Sequence, residues 1–167
     1  RTGKMLACDY EETKPDILVL GKALSGGMMP ISVVLADDDV MEVMEPGTHG
    51  STFGGNPLAA AVGLEAIQII KDEKLVENSY KMGEYFRNTI NKFNTPLNIT
   101  CRGKGLLNAI EFENKDITEK VSIELQKRGL LAKSTRDNVL RLSPPLIIHK
   151  TQMDQSLDIL HDTFTTL

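Results

Sequence analysis

One lysine stands where a short apolar segment ends and a turn of small residues begins. Residues 16–27 read DILVLGKALSGG, and Lys22 follows the apolar run at 17–20. A lysine becomes a good nucleophile toward a carbonyl group only when burial or a nearby cation lowers its pKa. The end of a buried strand allows such lowering, so Lys22 is a candidate for imine chemistry. The alternative is a solvated surface lysine, which is the common state of this residue.

A glycine-rich loop is the second candidate site. Residues 50–56 read GSTFGGN, and Ser51 and Thr52 add hydroxyl donors to a backbone that can approach an anion closely. Backbone amides at loops and helix N-termini bind phosphate by this geometry. The alternative is a flexible connector without a ligand. The Gly-Lys-Ser/Thr ending of a Walker A loop is absent from this segment.

An arginine in a short predicted strand is the third candidate. Residues 139–145 read VLRLSPP, and strand alternation places Arg141 on the face opposite Leu140 and Leu142. A guanidinium group suits bidentate recognition of a carboxylate; the alternative is an edge-strand charge that faces water. Together, an amine, phosphate donors and a carboxylate-binding fork suit an amino acid that reacts with a phosphorylated aldehyde.

Composition excludes several classes of function. The 167 residues carry a net charge of −4 and the sequence pI is about 5.4, which argues against a nucleic-acid partner. No apolar run is long enough to span a membrane, and none resembles a signal or transit peptide at the start. Cys8 and Cys101 are read as free thiols of a reducing compartment. The three histidines form no cluster, so we expect no metal site.

The elements that position these residues indicate a mixed α/β protein. Apolar runs at 17–20 and 31–36 predict two strands buried on both faces of a mostly parallel sheet. Asn56 and Pro57 predict the start of a helix that is apolar nearly all round and therefore buried. A longer amphipathic helix is predicted over 72–93.

The remaining residues predict a smaller α+β module. Its helices are expected at 118–128 and after a capping box formed by Thr151 and Asp154. Its strands are predicted at 99–102, 106–112, 130–133 and 139–142. We place the boundary between the two parts near residues 70–75.

The chain resembles the C-terminal part of the class III pyridoxal-phosphate-dependent aminotransferases. The segments that carry the resemblance are RTG at 1–3, 15–27 around the lysine, HGSTFGGNP at 49–57, RGKGL at 102–106, GLLAK at 129–133 and RLSPP at 141–145. They follow the family's order over nearly the whole chain. The resemblance implies that 1–72 form the C-terminal part of a type I large domain that binds pyridoxal 5'-phosphate. Residues 73–167, including the linking helix, would form a small α+β C-terminal domain.

The same resemblance implies a role for each candidate residue. Lys22 would bind the cofactor covalently and later move a proton between the substrate Cα and the cofactor. Ser51 and Thr52 would bind the cofactor phosphate of the neighbouring subunit in a homodimer with its active site at the interface. Arg141 would hold the substrate α-carboxylate.

Two segments narrow the implied reaction. GKGLLNAI at 103–110 and GLLAK at 129–133 resemble the branch that transfers the δ-amino group of L-ornithine to 2-oxoglutarate, which gives glutamate-5-semialdehyde and L-glutamate. Other branches, of the acetylornithine or 4-aminobutyrate type, remain open, as does a noncatalytic oligomerisation module on the same scaffold.

Several functional parts of the family lie N-terminal to position 1. They include the acid on the cofactor's ring nitrogen and the residues that select the substrate, so we expect these 167 residues alone to be inactive without the N-terminal portion. The family occurs in the cytoplasm and the mitochondrial matrix, and we expect one of these compartments, with the cytoplasm preferred.

Overall fold

The computed structural model describes residues 1–135 and 137–167, and these form two compact units of a mixed α/β fold. The N-terminal unit is Cys8–Lys74. The C-terminal unit is Leu75–Leu167 together with Arg1–Ala7. The assignment of 1–72 and 73–167 to a large and a small domain stays a prediction.

The N-terminal unit contains a two-stranded antiparallel ribbon and two α-helices. The strands are β1 (Ile17–Leu20) and β2 (Val33–Ala36), and the helices are α1 (Asp38–Met41) and α2 (Pro57–Asp72). A 3-10 turn at Lys22–Ser25 follows β1 directly. In the ribbon, Ile17 lies opposite Ala36 and Leu20 lies opposite Val33.

Two expectations for these strands were wrong within this chain. β1 and β2 pair antiparallel rather than parallel, because their connection contains a 3-10 turn and no crossover helix. The strands are also not buried on both faces, since the side chain of Val19 is 66% exposed. A continuous apolar run does not by itself reveal the direction of the partner strand.

Helix α2 begins as predicted but is less buried than predicted. Asn56 is its N-cap, and its Oδ1 accepts a hydrogen bond from the Ala59 amide at 2.8 Å. Pro57 is the first helical residue. The expected burial all round was wrong, because the buried positions are small residues such as Ala59 and Gly63, whereas Leu64 is 70% exposed.

The C-terminal unit is an antiparallel four-stranded sheet with three long helices. Its helices are α3 (Leu75–Ile90), α4 (Lys115–Lys127) and α5 (Lys150–Thr166). Its strands are β3 (Thr100–Lys104), β4 (Leu107–Glu111), β5 (Lys133–Thr135) and β6 (Val139–Leu142), in the order β3-β4-β6-β5. The predicted helices and strands of this region are confirmed in type and within a few residues in position, although α3 is shorter than the helix predicted over 72–93.

One face of this sheet packs against the three helices. The core contains apolar residues from α3, α4, α5 and the sheet, among them Phe86, Ile90, Ile110, Leu125, Leu140, Leu160 and Phe164. The predicted alternation in β6 is confirmed, because Leu140 and Leu142 are buried while Arg141 is exposed. Arg141 therefore lies on the sheet face opposite the core.

The start of α5 differs from the prediction. Its N-cap is His149 rather than Thr151, and the His149 backbone amide donates to Oε1 of Gln152 at 3.3 Å. Asp154 does not take part in the cap. It accepts hydrogen bonds from Lys150 at 2.8 Å and from the Tyr85 hydroxyl at 2.6 Å.

Candidate active site

Lys22 lies immediately after β1 and Gly21, at the first position of the 3-10 turn. Its backbone has a φ of +54°, a left-handed conformation that costs a residue with a Cβ about 1–2 kcal/mol. Such strain persists where surrounding structure enforces it and is concentrated at functional sites. The Lys22 side chain is exposed in the described chain.

Hydrogen bonds within the turn and packing against α2 hold the turn that carries Lys22 in place. The Ser25 hydroxyl donates to the Met29 carbonyl at 2.5 Å and accepts from the Met29 amide at 3.2 Å. Gly26 ends the turn with a φ of +67°, and a methyl group added there would lie 3.7 Å from the Ala66 Cβ of α2. The sequence thus places the lysine on a short, well-anchored turn that packs against a helix.

The loop with Ser51 and Thr52 is exposed and has internal hydrogen bonds. The Ser51 hydroxyl accepts from the Gly54 amide at 3.0 Å, and the Asn56 side-chain amide donates to the Phe53 carbonyl at 2.8 Å. The loop leads directly into the N-terminus of α2, where unpaired backbone amides favour an anion. Both hydroxyl-bearing residues are exposed in the described chain.

Arg141 lies on an interior strand of the sheet. β6 is flanked by β4 and β5, so the alternative of an edge strand is wrong, although the Arg141 side chain is exposed as that alternative expected. Arg141 is opposite Ala109 on β4 and Lys133 on β5, and Ala109 is in turn opposite Arg102 on β3. This cross-strand row places cations on both sides of Arg141, with the small Ala109 leaving space beside its guanidinium group.

A cleft of about 490 Å³ opens on this sheet face, and Arg141 is one of its walls. Arg102, Lys104, Thr2 and parts of β3 and β4 also line the cleft. Arg102 is bound to the Glu111 carboxylate by its Nε at 2.8 Å and its Nη2 at 2.6 Å. Because Glu111 compensates the charge of Arg102, the cationic character of the cleft depends on Arg141 and Lys104.

Other reactive groups contribute little. Burial raises the pKa of the Cys101 thiol to about 11, although the charge of Arg87 acts in the opposite direction, so this thiol stays protonated near neutral pH. Neither cysteine is in a disulfide bond. Over 1–135 and 137–167, no group of three His, Cys, Asp or Glu side chains is placed to hold a metal ion. None of the helices in these ranges is long and apolar enough to cross a membrane.

Sequence reasoning missed the residues of α3 that organise the turn next to the cleft. Ser79 and Gly83 are buried on the core-facing side of α3, between Leu75 and Phe86. A small polar residue and a glycine four positions apart on an otherwise apolar helix face indicate the close approach of another backbone. That backbone is the β3–β4 turn, because a methyl group added at Gly83 would lie 1.8 Å from the Gly105 carbonyl oxygen.

Comparison with known proteins places the chain in one family. The sequence model of the family described as aminotransferase class-III matches residues 1–164. The ornithine aminotransferase, mitochondrial, of Drosophila melanogaster is 49% identical over 167 residues, which is 100% of this chain and 39% of that relative. The chain thus spans about two fifths of the length of the curated relatives that it matches.

Solved structures agree with this placement. A structure of the ornithine aminotransferase from Toxoplasma gondii, described with partial occupancy of PLP at its active site, is 44% identical with a TM-score of 0.93, over 99% of this chain and 40% of that one. The acetylornithine aminotransferase from Elizabethkingia anophelis is 46% identical with a TM-score of 0.93, over 100% of this chain and 45% of that one. The chain therefore belongs to the class III aminotransferase family.

Proposed function

We propose that the full-length protein containing this chain is an ornithine aminotransferase that uses pyridoxal 5'-phosphate. It would transfer the δ-amino group of L-ornithine to 2-oxoglutarate, giving glutamate-5-semialdehyde and L-glutamate, and so act in proline and arginine metabolism. The observation that carries the proposal is the identity of 49% with the Drosophila ornithine aminotransferase over the whole chain.

The donor set of the chain fits the cofactor. The primary amine of Lys22 at the end of β1 can form a covalent bond to an aldehyde once it is shielded from water. A loop with two hydroxyl groups before the α2 N-terminus suits a phosphate. When bound, pyridoxal phosphate supplies an electron sink, and the protein positions the reacting groups around it.

Each candidate residue then has a defined task. Lys22 would hold the cofactor and would then carry a proton to and from the carbon that bears the reacting amine, which is Cδ of L-ornithine and Cα of L-glutamate, as a general acid and base. Arg141 binds the α-carboxylate of the amino acid or the oxo acid through its two parallel N–H groups. Ser51 and Thr52 donate hydrogen bonds to the cofactor phosphate of the neighbouring subunit in a homodimer.

The chain supplies only part of this machinery. We propose that 1–72 belong to the large cofactor-binding domain and 73–167 to a small C-terminal domain. The chain alone is expected to be inactive, since it spans 39% of the Drosophila relative. The compartment is proposed to be the cytoplasm or, as in the name of that relative, the mitochondrion.

A second candidate function is supported by one of the solved structures. The acetylornithine aminotransferase from Elizabethkingia anophelis matches this chain with a TM-score equal to that of the Toxoplasma ornithine enzyme, 0.93. The fold of these residues therefore does not separate the two substrates.

Substrate kinetics on the full-length protein test the proposal. We expect kcat/KM with 2-oxoglutarate to be highest for L-ornithine, compared with N-acetylornithine and 4-aminobutyrate. A higher value for N-acetylornithine would assign the protein to the other branch. Turnover of none of the three, in a folded protein, would instead support a noncatalytic module.

A further inference from the structure

We infer that Arg1 is a positioning residue for Arg141 and that it acts through residues 1–3, here called the N-terminal strap. The inference rests on the carboxylate-binding role proposed for Arg141. The strap belongs to the C-terminal unit, although its sequence lies far from the rest of that unit. The strap contacts the start of β4 and the segment that follows β6, and these two neighbouring strands position Arg141.

The backbone of the strap holds the start of β4. The Arg1 carbonyl oxygen accepts a hydrogen bond from the Leu106 amide at 2.8 Å and another from the Ser79 hydroxyl of α3. The Ser79 oxygen also accepts from the Leu106 amide at 3.1 Å. Leu106 is the residue directly before β4, so these bonds fix the point at which that strand begins.

The side chain of Arg1 holds the end of β6. Its Nη1 donates to the Pro144 carbonyl oxygen at 2.6 Å, and Pro144 lies two residues beyond the last residue of β6. β4 and β6 are neighbours, with Asn108 opposite Leu142. The next pair in this register is Ala109 and Arg141. Arg1 thus ties together the entry of one strand and the exit of the other, next to the pair that contains Arg141.

The N-terminal strap packs closely against the β3–β4 turn. Gly105 has a φ of +53°, and a methyl group added there would lie 2.4 Å from the Arg1 carbonyl oxygen and 2.4 Å from the Thr2 carbonyl carbon. On its other side Gly105 touches Gly83 of α3, and its carbonyl accepts from Nη1 of Arg87 at 2.9 Å. The β3–β4 turn is therefore clamped between α3 and the strap.

A separate set of contacts holds the segment that follows Pro144. The Asn78 side-chain amide donates to the carbonyls of Leu146 at 2.7 Å and Ile148 at 2.9 Å. The strap also borders the cleft directly, because Thr2 and Arg141 both line it. Loss of the Arg1 guanidinium would let the C-terminal end of β6 move, and the Arg141 guanidinium would then be oriented less precisely. No group that takes part in the reaction would be removed.

The test compares Arg1→Met with Arg128→Met in the full-length protein. Methionine keeps an unbranched apolar stem and removes the donors. Arg128 is the matched control, since its Nε binds Glu124 at 3.1 Å and its Nη2 binds Thr166 at 3.2 Å, on helices away from the strap. For Arg1→Met we expect KM for L-ornithine and 2-oxoglutarate to rise about tenfold, because an Arg141 guanidinium that is held less firmly binds a carboxylate more weakly. We expect kcat to change less than about twofold.

A second readout does not depend on activity. In the cofactor-free protein, hydrogen–deuterium exchange of the peptides covering 106–109 and 139–142 should accelerate in Arg1→Met and stay unchanged in Arg128→Met. If Arg1→Met does not fold, Ser79→Ala, which removes the hydroxyl bound to the Arg1 carbonyl, should raise KM in the same direction.

The outcomes separate this inference from the proposed function. An unchanged KM in Arg1→Met, or an equal rise in Arg128→Met, would overturn the positioning role while leaving an active aminotransferase. If the wild-type protein has no aminotransferase activity, the proposed function fails, and the role of Arg1 in holding β4 and β6 is decided by exchange alone. Unchanged exchange in both peptides would overturn it.

Discussion

Among single residues, the group that we propose for binding the substrate carboxylate is the guanidinium of Arg141. It lies on an interior strand beside the small Ala109, with its side chain on the sheet face opposite the core. Planar donors in a fork match a carboxylate in a way that an ammonium group cannot. We therefore expect carboxylate binding at this position to depend on the guanidinium group and not on its positive charge alone.

Arg141→Lys in the full-length protein should raise KM for both the amino acid and the oxo acid about tenfold, because one of two parallel hydrogen bonds is lost. Steady-state kinetics measure the effect, and Arg128→Lys, at the end of α4, is the control with the same substitution. Equal KM values for wild type and Arg141→Lys would remove Arg141 from the carboxylate site.

Gly83 lies so close to the β3–β4 turn that there is no room for a side chain at this position. Gly83→Ala places a methyl group 1.8 Å from the Gly105 carbonyl oxygen, and the backbone must move to relieve the clash. We expect a loss of about 3 kcal/mol in stability, seen as a lower denaturation midpoint of the full-length protein. Gly63→Ala in α2 is the control, because its methyl group meets only the flexible end of Ile31, at 3.3 Å; an equal loss in both variants would contradict the close contact.

At the scale of elements, α5 is tied to α3 by a surface cluster of three polar side chains. The hydrogen bonds from Lys150 and then from the Tyr85 hydroxyl lower the pKa of Asp154. The bond to Asp154, followed by the one to Tyr85, raises the pKa of Lys150. The Lys150 ammonium also lies 4.7 Å from the centre of the Tyr85 ring. The cluster is exposed to water, so its effect on stability is small.

The lowered pKa of Asp154 determines how the contribution of this cluster to stability changes with pH. A carboxylate with a lowered pKa in the folded state stabilises the fold above its unfolded pKa of about 4, and the effect is lost as pH falls through the folded pKa. Asp154→Asn should therefore lower the melting temperature slightly at pH 7, and the difference from wild type should vanish in strong acid. Asp158→Asn on the same helix is the control; a difference that persists in acid would contradict the ionic origin.

How far the sequence predicted these elements depends on how local each signal is. Strand alternation placed Arg141 opposite Leu140 and Leu142, and the Asn56–Pro57 pair marked the start of α2, because both patterns act over a few residues. The pairing of β1 with β2 depends on the path of the chain between them, which an apolar run does not encode. The left-handed backbone of Lys22 and the clamp on Gly105 also depend on tertiary contacts.

At the scale of the whole molecule, the N-terminal unit leaves much apolar surface uncovered. Its exposed large apolar side chains include Ile17, Val19, Met28, Val34, Phe53, Leu58 and Leu64. Single exposed apolar residues are common, but a concentration of them marks a surface that binds other protein. The chain spans only 39% of the Drosophila relative, so the remainder of the full-length protein is the proposed cover.

Residues 1–167 produced alone should therefore associate or bind a hydrophobic dye more strongly than the full-length protein, and should show no aminotransferase activity. Addition of the separately produced N-terminal portion should restore solubility and activity together. A monomeric, dye-free chain of 167 residues would contradict the proposed cover. No recovery of activity in a soluble mixture would count against simple complementation.

The proposed chemistry depends on a covalent bond between the Lys22 amine and pyridoxal phosphate. Borohydride reduction of the full-length protein with bound cofactor, followed by peptide mass analysis, detects this bond, with Lys22→Arg as the control. We expect a phosphopyridoxyl group on the Lys22 peptide of the wild type and none on that peptide in the variant. A label on a different lysine, or no label at all in protein incubated with excess cofactor, would contradict it.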